Sequence, residues 1–365
     1  MRELLAEVAG PAMARDWVAD EQKAQRAWSR LAALGLFQTV VPEDRGGIGL
    51  GIGDLVGIVE ELGRALAPPI VTETLLVADL LGYFAPESLQ DALLPALGEG
   101  RARIAVAVEP PERHGPHRPT VLAESVADSW RLSGTVLLVP DARDADYLVV
   151  AACRAGGEEQ TLFICPTGAS GLTRSAHRTA DQTVEFSSCR FDGVVVGDDH
   201  RLAPASGTEP LERLLGAGAL LTGAELLGVA DATFTMALSY VKERAQFGRP
   251  IGSFQAVKHM LADMYLGLEM SRTVTSAAGQ SVALLSPEAD LSCHVAKAFS
   301  ATACRRIVRD ALQLHGGIGF AWEHDYHLFL KRAKYLEQAF GSAEWHREQV
   351  AASVINARRS RRRSE

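Results

Sequence analysis

In "ERAQFGRPIGSFQAVKH" (residues 243–259), Arg244 and Gln246 fall between the end of one helical pattern and the start of another. Such a corner suits an anion. The planar arginine fork matches a phosphate, and unpaired amides at a helix start add partial positive charge. The plainer alternative is that Arg244 pairs with a nearby acid and Ser253 caps its helix. In "QLHGGIGF", Gly316 and Gly317 would let backbone approach a neighbour or a ligand, with Gln313 and His315 supplying polar contacts beside them. Here the plainer alternative is a helix C-terminus closed by glycine.

The elements that must position these residues follow from periodicity. Residues 1–102 read as short packed helices, with Trp28, Leu31, Leu34 and Leu36 in one stretch and "LVGIVEELGRALA" in another. From "RARIAVAVEPP" the pattern turns to short β-rich runs divided by Gly, Pro, Asp and Ser, which predicts a small antiparallel β domain over 103–205. No helix-length segment alternates with those runs, which disfavours a doubly wound parallel sheet. Helical periodicity then returns near 209–244, 254–284, 287–315, 323–338 and 342–357. Val257, Leu261, Met264 and Leu268 mark one buried face. Long helices with short connections predict an antiparallel bundle over 206–357, followed by an Arg-rich tail at 358–365.

Bulk properties narrow the function. The 365 residues, 47% of them hydrophobic, can bury a large core. A net charge of -8 gives no basic footprint for nucleic acid, and the arginines of "ARRSRRRSE" read as a solvated, disordered end. Five scattered cysteines without a CxxC pair point to buried free thiols in a reducing compartment, not to disulfides or zinc. With no signal-like N-terminus and no run of about eighteen apolar residues, the expectation is a cytoplasmic protein with no membrane partner.

The α, β, α order, together with "YVKERAQFGRPIGSFQAVKHMLADM" and "QLHGGIGFAWEHDYHLFLKRAKYL", resembles the acyl-CoA dehydrogenase family along essentially the whole chain. The resemblance implies an N-terminal helical domain, a middle β domain and a C-terminal four-helix bundle. It also implies FAD, bound at its adenosine and pyrophosphate portion across a subunit interface. Carried over by position, Arg244, Gln246, Phe247, Phe254, Gln255, Gln313, Gly316 and Gly317 would act on a neighbouring chain's flavin, and Gly341 and Ser342, which match the family's Gly-Thr pair, would also be cofactor-binding. Phe247 and Phe254 could equally be ordinary core.

The family's chemistry removes the α-proton of an acyl-CoA thioester with a Glu while a hydride leaves to flavin, and the electrons pass to an acceptor flavoprotein. That Glu must sit in an apolar pocket that raises its pKa. Here "AFGSAEWHR" puts Phe340 at its usual position. The alternative family position, on the helix before the loop arginine, is Gly218. The nearest acids, Glu225 and Glu337, read as structural helix residues, displaced from the required face. The β region has "AVAVEPPERHGPHRP" in place of a TEPxxGSD-like stretch, and "VLLVPDARDADYLVV" has no aromatic at a usual flavin contact.

An intact adenosine half beside a degraded ring half resembles the smaller, base-lacking subunit of heterotetrameric (α2β2) bacterial members known from sterol side-chain degradation. The expected partner is a homologous catalytic subunit, or else further copies of the chain in a homo-oligomer. Two rivals remain open: a self-sufficient enzyme of the same fold with altered chemistry in a biosynthetic pathway, and a flavin-free structural relative.

Overall fold

The computed structural model describes residues 5, 10–111, 118–203 and 210–364. Helices Pro11–Ala19 (α1) and Glu21–Ala33 (α2) follow one another near the start of the described residues, the second capped by Asp20, which accepts from the Lys23 N–H at 3.1 Å. Ala24, Ala27, Trp28 and Leu31 form the buried stripe of α2. The Trp28 indole stacks on Phe37 and donates to the Gly100 carbonyl at 2.8 Å. It thereby ties α2 to the end of Glu87–Gly98 (α5). Between them run Val56–Arg64 (α3) and Pro69–Phe84 (α4). Pro69 occupies the first turn of α4, where its missing N–H costs nothing. Because α4 is apolar on nearly every side, it is buried almost throughout.

Eight strands form one sheet: Ile104–Ala107 (β1), Val121–Val126 (β2), Ser129–Pro140 (β3), Tyr147–Arg154 (β4), Gln160–Pro166 (β5), Leu172–His177 (β6), Phe186–Gly197 (β7) and Arg201–Leu202 (β8). The order is β6-β7-β3-β2-β4-β5-β8, and β1 also pairs with β4. The sheet is not purely antiparallel. β1 and β2 both run parallel to β4, on successive stretches of the edge that β5 does not use. Alternation within a strand encodes its faces but not its direction, which is why these two pairings were not foreseen.

Helices Pro210–Glu243 (α6), Gln255–Ala283 (α7), Ala289–His315 (α8), Tyr326–Gln338 (α9) and Ala343–Ser364 (α10) complete the fold. Four are long and α9 is short. By length and composition α6 could cross a membrane, yet 94% of its most apolar window is buried inside the protein, as expected of a central core helix. Glu323 and Asp325 precede α9 instead of beginning it, and Asp325 pairs with Arg15 at 2.6 Å. The last helix runs through the arginine run to Ser364, where a disordered end was expected; arginine has high helix propensity. All five cysteines are free.

Candidate functional site: two ends of the helical bundle

At one end of the bundle, α6 gives way to a two-stranded hairpin in which Ala245–Gln246 (β9) pairs with Arg249–Pro250 (β10). Phe247 and Gly248 form its turn with φ of +52° and +76°, the pair of left-handed residues that a tight hairpin requires. Phe247 therefore stands on the tip, 92% exposed, and is not core. Half-buried Phe254 meets it edge-on at 6.2 Å and lies under the Arg249 guanidinium at 4.1 Å. Arg244 is exposed and, among the described residues, has no ion pair. Ser253 does not cap α7. Its hydroxyl donates to the Pro250 carbonyl at 2.7 Å, while Phe254 holds the cap position without a side-chain bond. The amides of Gln255 and the next residues thus lack a side-chain cap, and Gln255 is exposed.

At the end of α8, Gly316 has φ +63° and ψ −143°, a conformation that explains this glycine as the closure of the helix. Gly317 has no such requirement, and a Cβ added at either position would meet nothing within 4 Å. Gln313 is exposed. His315 turns inward, contrary to the expectation of a polar contact beside the glycines. Its Nδ1–H donates to the Ala311 carbonyl at 2.8 Å, its ring lies against Tyr240 (4.8 Å) and Tyr326 (5.0 Å), and burial lowers its pKa. Tyr240 is one turn before Arg244. The Tyr240–His315 stack therefore brings the hairpin and the double glycine to the same end of the bundle, and with them Arg244, Gln246, Phe247, Gln313, Gly316 and Gly317.

Gly218 lies 26 residues before Arg244 on the same helix, about 39 Å away at the helical rise. Its neighbour is Phe340. A Cβ on Gly218 would lie 2.2 Å from Phe340 Cδ1 and 2.4 Å from Cε1, so the ring fills the space that any side chain at 218 would need. Both positions at which the resemblance would put a base are thus consumed by one contact. Phe340 holds φ +55°, and its carbonyl accepts from His346 Nε2–H at 3.0 Å. Since a carbonyl only accepts, His346 Nδ1 is the acceptor in its 2.8 Å contact with His294 Nδ1. Burial pushes His346 down to about 2 and keeps it neutral. Gly341 has φ +107° and no room for a side chain, because a Cβ would lie 2.8 Å from Trp345 and 2.9 Å from His346. Ser342 accepts from the Trp345 N–H at 3.2 Å, capping α10. Fully buried Lys297 donates to Thr222 Oγ1 at 2.9 Å and to the Leu336 carbonyl at 2.6 Å, and burial lowers it to about 7. Thr222 in turn donates to the Gly218 carbonyl at 2.8 Å.

The two remaining acids are engaged elsewhere. Glu337 is buried between Arg305 (2.9 Å) and Lys334 (3.2 Å). Glu225 is seven residues from Gly218, which returns it to the same helix face but about 10 Å along the axis. It faces Arg332 at 3.5 Å, and burial raises it to about 7 against the pull of that guanidinium. Arg332 itself was not foreseen. It is wholly buried and donates to the Ala67 carbonyl and to Thr183 O (3.1 Å) and Oγ1 (2.9 Å), with Asp181 at 3.6 Å. Glu73, which accepts from the Val106 N–H at 2.9 Å, and Asp141, which accepts from the Ile70 N–H at 3.0 Å, lie in the same interior. Burial raises Glu73 far above its ordinary value and Asp141 to about 7. The readable signal was Arg332 interrupting the apolar stripe of Phe329, Ala333 and Leu336.

In the sheet, Leu137 and Leu138 of the "VLLVPDARDADYLVV" stretch are exposed, and Leu138 bulges out of β3 at φ +55°. Residues 112–117 of "AVAVEPPERHGPHRP" lie outside the described residues.

Comparison with known proteins places this geometry. A model of the acyl-CoA dehydrogenase C-terminal domain matches residues 205–355, and one of the N-terminal domain matches residues 1–101. Acyl-CoA dehydrogenase IpdE2 of Mycolicibacterium smegmatis is 31% identical over 88% of this chain and 85% of its own length. Acyl-CoA dehydrogenase FadE34 of Mycobacterium tuberculosis is also 31% identical, but this chain spans only 42% of it. Among solved structures, the ChsE4-ChsE5 complex from Mycobacterium tuberculosis superposes with a TM-score of 0.87 at 28% identity, covering 97% of this chain and 94% of that one. A Tcur3481-Tcur3483 steroid ACAD variant superposes at 0.82 with 30% identity, covering 97% and 98%.

Proposed function

This chain belongs to the acyl-CoA dehydrogenase family, and from that premise we propose that it is the base-lacking subunit of a heteromeric acyl-CoA dehydrogenase. In this reading it completes the FAD site of a homologous catalytic chain. The observation that carries the proposal is the Phe340 ring seated on Gly218, which leaves neither position able to hold a carboxylate.

The residues present fit one part of the cofactor and not the chemistry. At the hairpin end, an unpaired arginine, a helix start without a side-chain cap and two glycines with open space before them suit a diphosphate arriving from outside the chain. Arg244 would offer its fork to the diphosphate oxygens. Gln246 and Gln313 would donate beside it, Gly316 and Gly317 would let backbone come close, and Phe247 would cover the ligand from the hairpin tip. Bound flavin would supply the hydride acceptor for α,β-desaturation of an acyl-CoA thioester. The proton would leave to a Glu on the partner, because at this chain's own locus Phe340 cannot take one and Lys297 and His346 are bonded to protein groups. About 39 Å of helix separates Gly218 from Arg244, which keeps the two ends of the bundle well apart. In this reading Arg244 serves a cofactor other than one at its own Phe340 end. The steroid ACAD neighbour favours a bulky, ring-bearing acyl group, with electrons passing on to an acceptor flavoprotein.

The test is expression of the chain alone and together with a family member that retains the Glu. Alone, it is expected to show little flavin absorbance and no desaturation; together, the complex is expected to be yellow and active. Full activity of the chain alone would sink the proposal and favour the self-sufficient enzyme.

A further inference from the structure

Where the sheet lies against the helices, the links between segments far apart in the chain run through buried ionisable groups. Asp141, just after β3, accepts from the Ile70 N–H of α4 at 3.0 Å with one oxygen and from the Glu185 N–H at 3.4 Å with the other. Glu73 on α4 accepts from the Val106 N–H of β1 at 2.9 Å. Glu225 on α6 accepts from the Thr72 hydroxyl and faces Arg332 at 3.5 Å. Arg332, on α9, reaches the Ala67 carbonyl just before α4 on one side and Thr183, on the segment leading into β7, on the other. Carboxyls and a guanidinium thus hold α4, the sheet and α9 to one another.

The cations do not match the acids. Among the described residues Arg332 is the one wholly buried arginine, and its Nε and Asp181 Oδ2 face each other at 3.6 Å with no hydrogen bond to either. Glu185 Oε2 is likewise unbonded, although Ser187 donates to its other oxygen at 2.7 Å. The further charges that act on the cluster are Asp144 beside Asp141, Arg103 and Arg143 on the segments next to β1 and β3, and Lys297 on α8; Tyr335 on α9 adds its hydroxyl. Protonated, Glu73, Asp141 and Glu225 still accept from the groups that bond them and add no charge to the interior. Ionised, they must share one buried guanidinium, and burial makes each uncompensated charge costly.

From this arrangement we infer that the cluster is a proton-linked latch, which holds the sheet against α4 and α9 while Glu73, Asp141 and Glu225 carry protons and loosens as they lose them. These groups are interior whether or not a flavin is bound, so the inference stands apart from the cofactor reading and either can fail alone.

The direction follows from burial, which raises Asp141 and Glu225 to about 7 and Glu73 well above its ordinary value. A carboxyl raised in this way stabilises the closed form fully below its unfolded value of about 4, and the contribution is lost as pH rises through about 7. Lys297 and His346 have the opposite sign, but their hydrogen bonds, to Thr222, Leu336, Phe340 and His294, lie within the bundle and do not cross to the sheet.

Hydrogen exchange of the full chain by mass spectrometry, at about pH 5.5 and pH 8 and expressed as protection factors, reads the latch at the Ile70, Val106 and Glu185 amides that donate to these carboxyls. Relative to amides in the middle of α8, their protection is expected to be at least about tenfold lower at the higher pH. Asp141→Asn and Glu225→Gln cannot lose a proton; each is expected to lessen that fall, and the two together to remove most of it. Protection that is the same at both pH values overturns the inference. So does an equal loss at α8, which would be unfolding of the whole chain, or a folded double variant that keeps the wild-type pH dependence. Where a variant does not fold, the wild-type comparison decides by itself.

Discussion

Phe247 and Phe340 hold nearly the same left-handed backbone, with φ of +52° and +55°, and their rings meet opposite fates. Phe247 stands in solvent at a hairpin tip beside an unpaired arginine. Phe340 is pressed against Gly218, its carbonyl held by His346. A left-handed non-glycine residue costs on the order of 1 kcal/mol at either place. At the buried end, interactions within the chain offset that cost and nothing is left for a ligand. At the hairpin end no comparable set of contacts answers it, and the compensating interactions are expected from outside. In the proposed reading the reaction's parts separate within one fold, with binding groups facing a neighbour and packing standing where a proton acceptor would be.

This contrast can be broken most strongly at the buried end. Gly218→Leu forces a side chain into the Phe340 ring and is expected to destabilise the chain by about 3 kcal/mol, the upper range for overpacking. Phe340→Ala in the same chain should recover much of the loss, so a double-mutant cycle by urea denaturation should show strong coupling. Additive effects would mean that the ring does not block Gly218. Phe340→Glu is expected to lower stability by about 1–3 kcal/mol, by placing a carboxylate at a half-buried site, and to leave the chain without desaturase activity when assayed alone.

A pH dependence of intermediate size follows from His346. Its folded pKa lies below its unfolded value, so its contribution is present above about 6.5 and is lost as pH falls toward about 2. Glu225 and Asp141, raised to about 7, act in the opposite direction between about 4 and 7, so only a difference measurement isolates the histidine. The stability advantage of wild type over His346→Gln should shrink by about 1–2 kcal/mol between pH 7 and pH 5. A constant gap would show that His346 is not held neutral. The smallest effect on folding belongs to the hairpin: Arg244→Ala should change stability by less than about 0.5 kcal/mol, as for an exposed unpaired side chain. In the co-expressed complex the same change should lower flavin occupancy about tenfold, consistent with losing a charge-assisted bond. Loss of stability without loss of flavin would reverse the assignment of the two ends.

The bundle was legible because its signal is local. Val257, Leu261, Met264 and Leu268 mark α7, and the expected spans of the first three long helices lie within a residue or two of those observed. The parallel pairings of β1 and β2 with β4 were not legible, since they join segments whose alternation looks the same in either direction. At the site, Phe340 and Gly218 were each singled out alone. Their mutual contact joins residues 122 positions apart and leaves no mark in either neighbourhood. Arg332 and the inward turn of His315 were missed for a related reason: an isolated polar residue in an apolar stripe does not reveal which distant carbonyls and rings await it.

Arg332 also sets an order on synthesis. Its guanidinium joins Ala67, Thr183 and Glu225, which leave the ribosome long before it does, the first of them 265 residues earlier. Until α9 emerges, the nascent chain holds Glu73, Asp141 and Glu225 without the Arg332 guanidinium, so that region closes only around protonated carboxyls. A product released before residue 332 is expected to keep its helical and β segments loosely joined and to be cleared by cellular proteases, which makes this arginine a checkpoint for completeness of the chain.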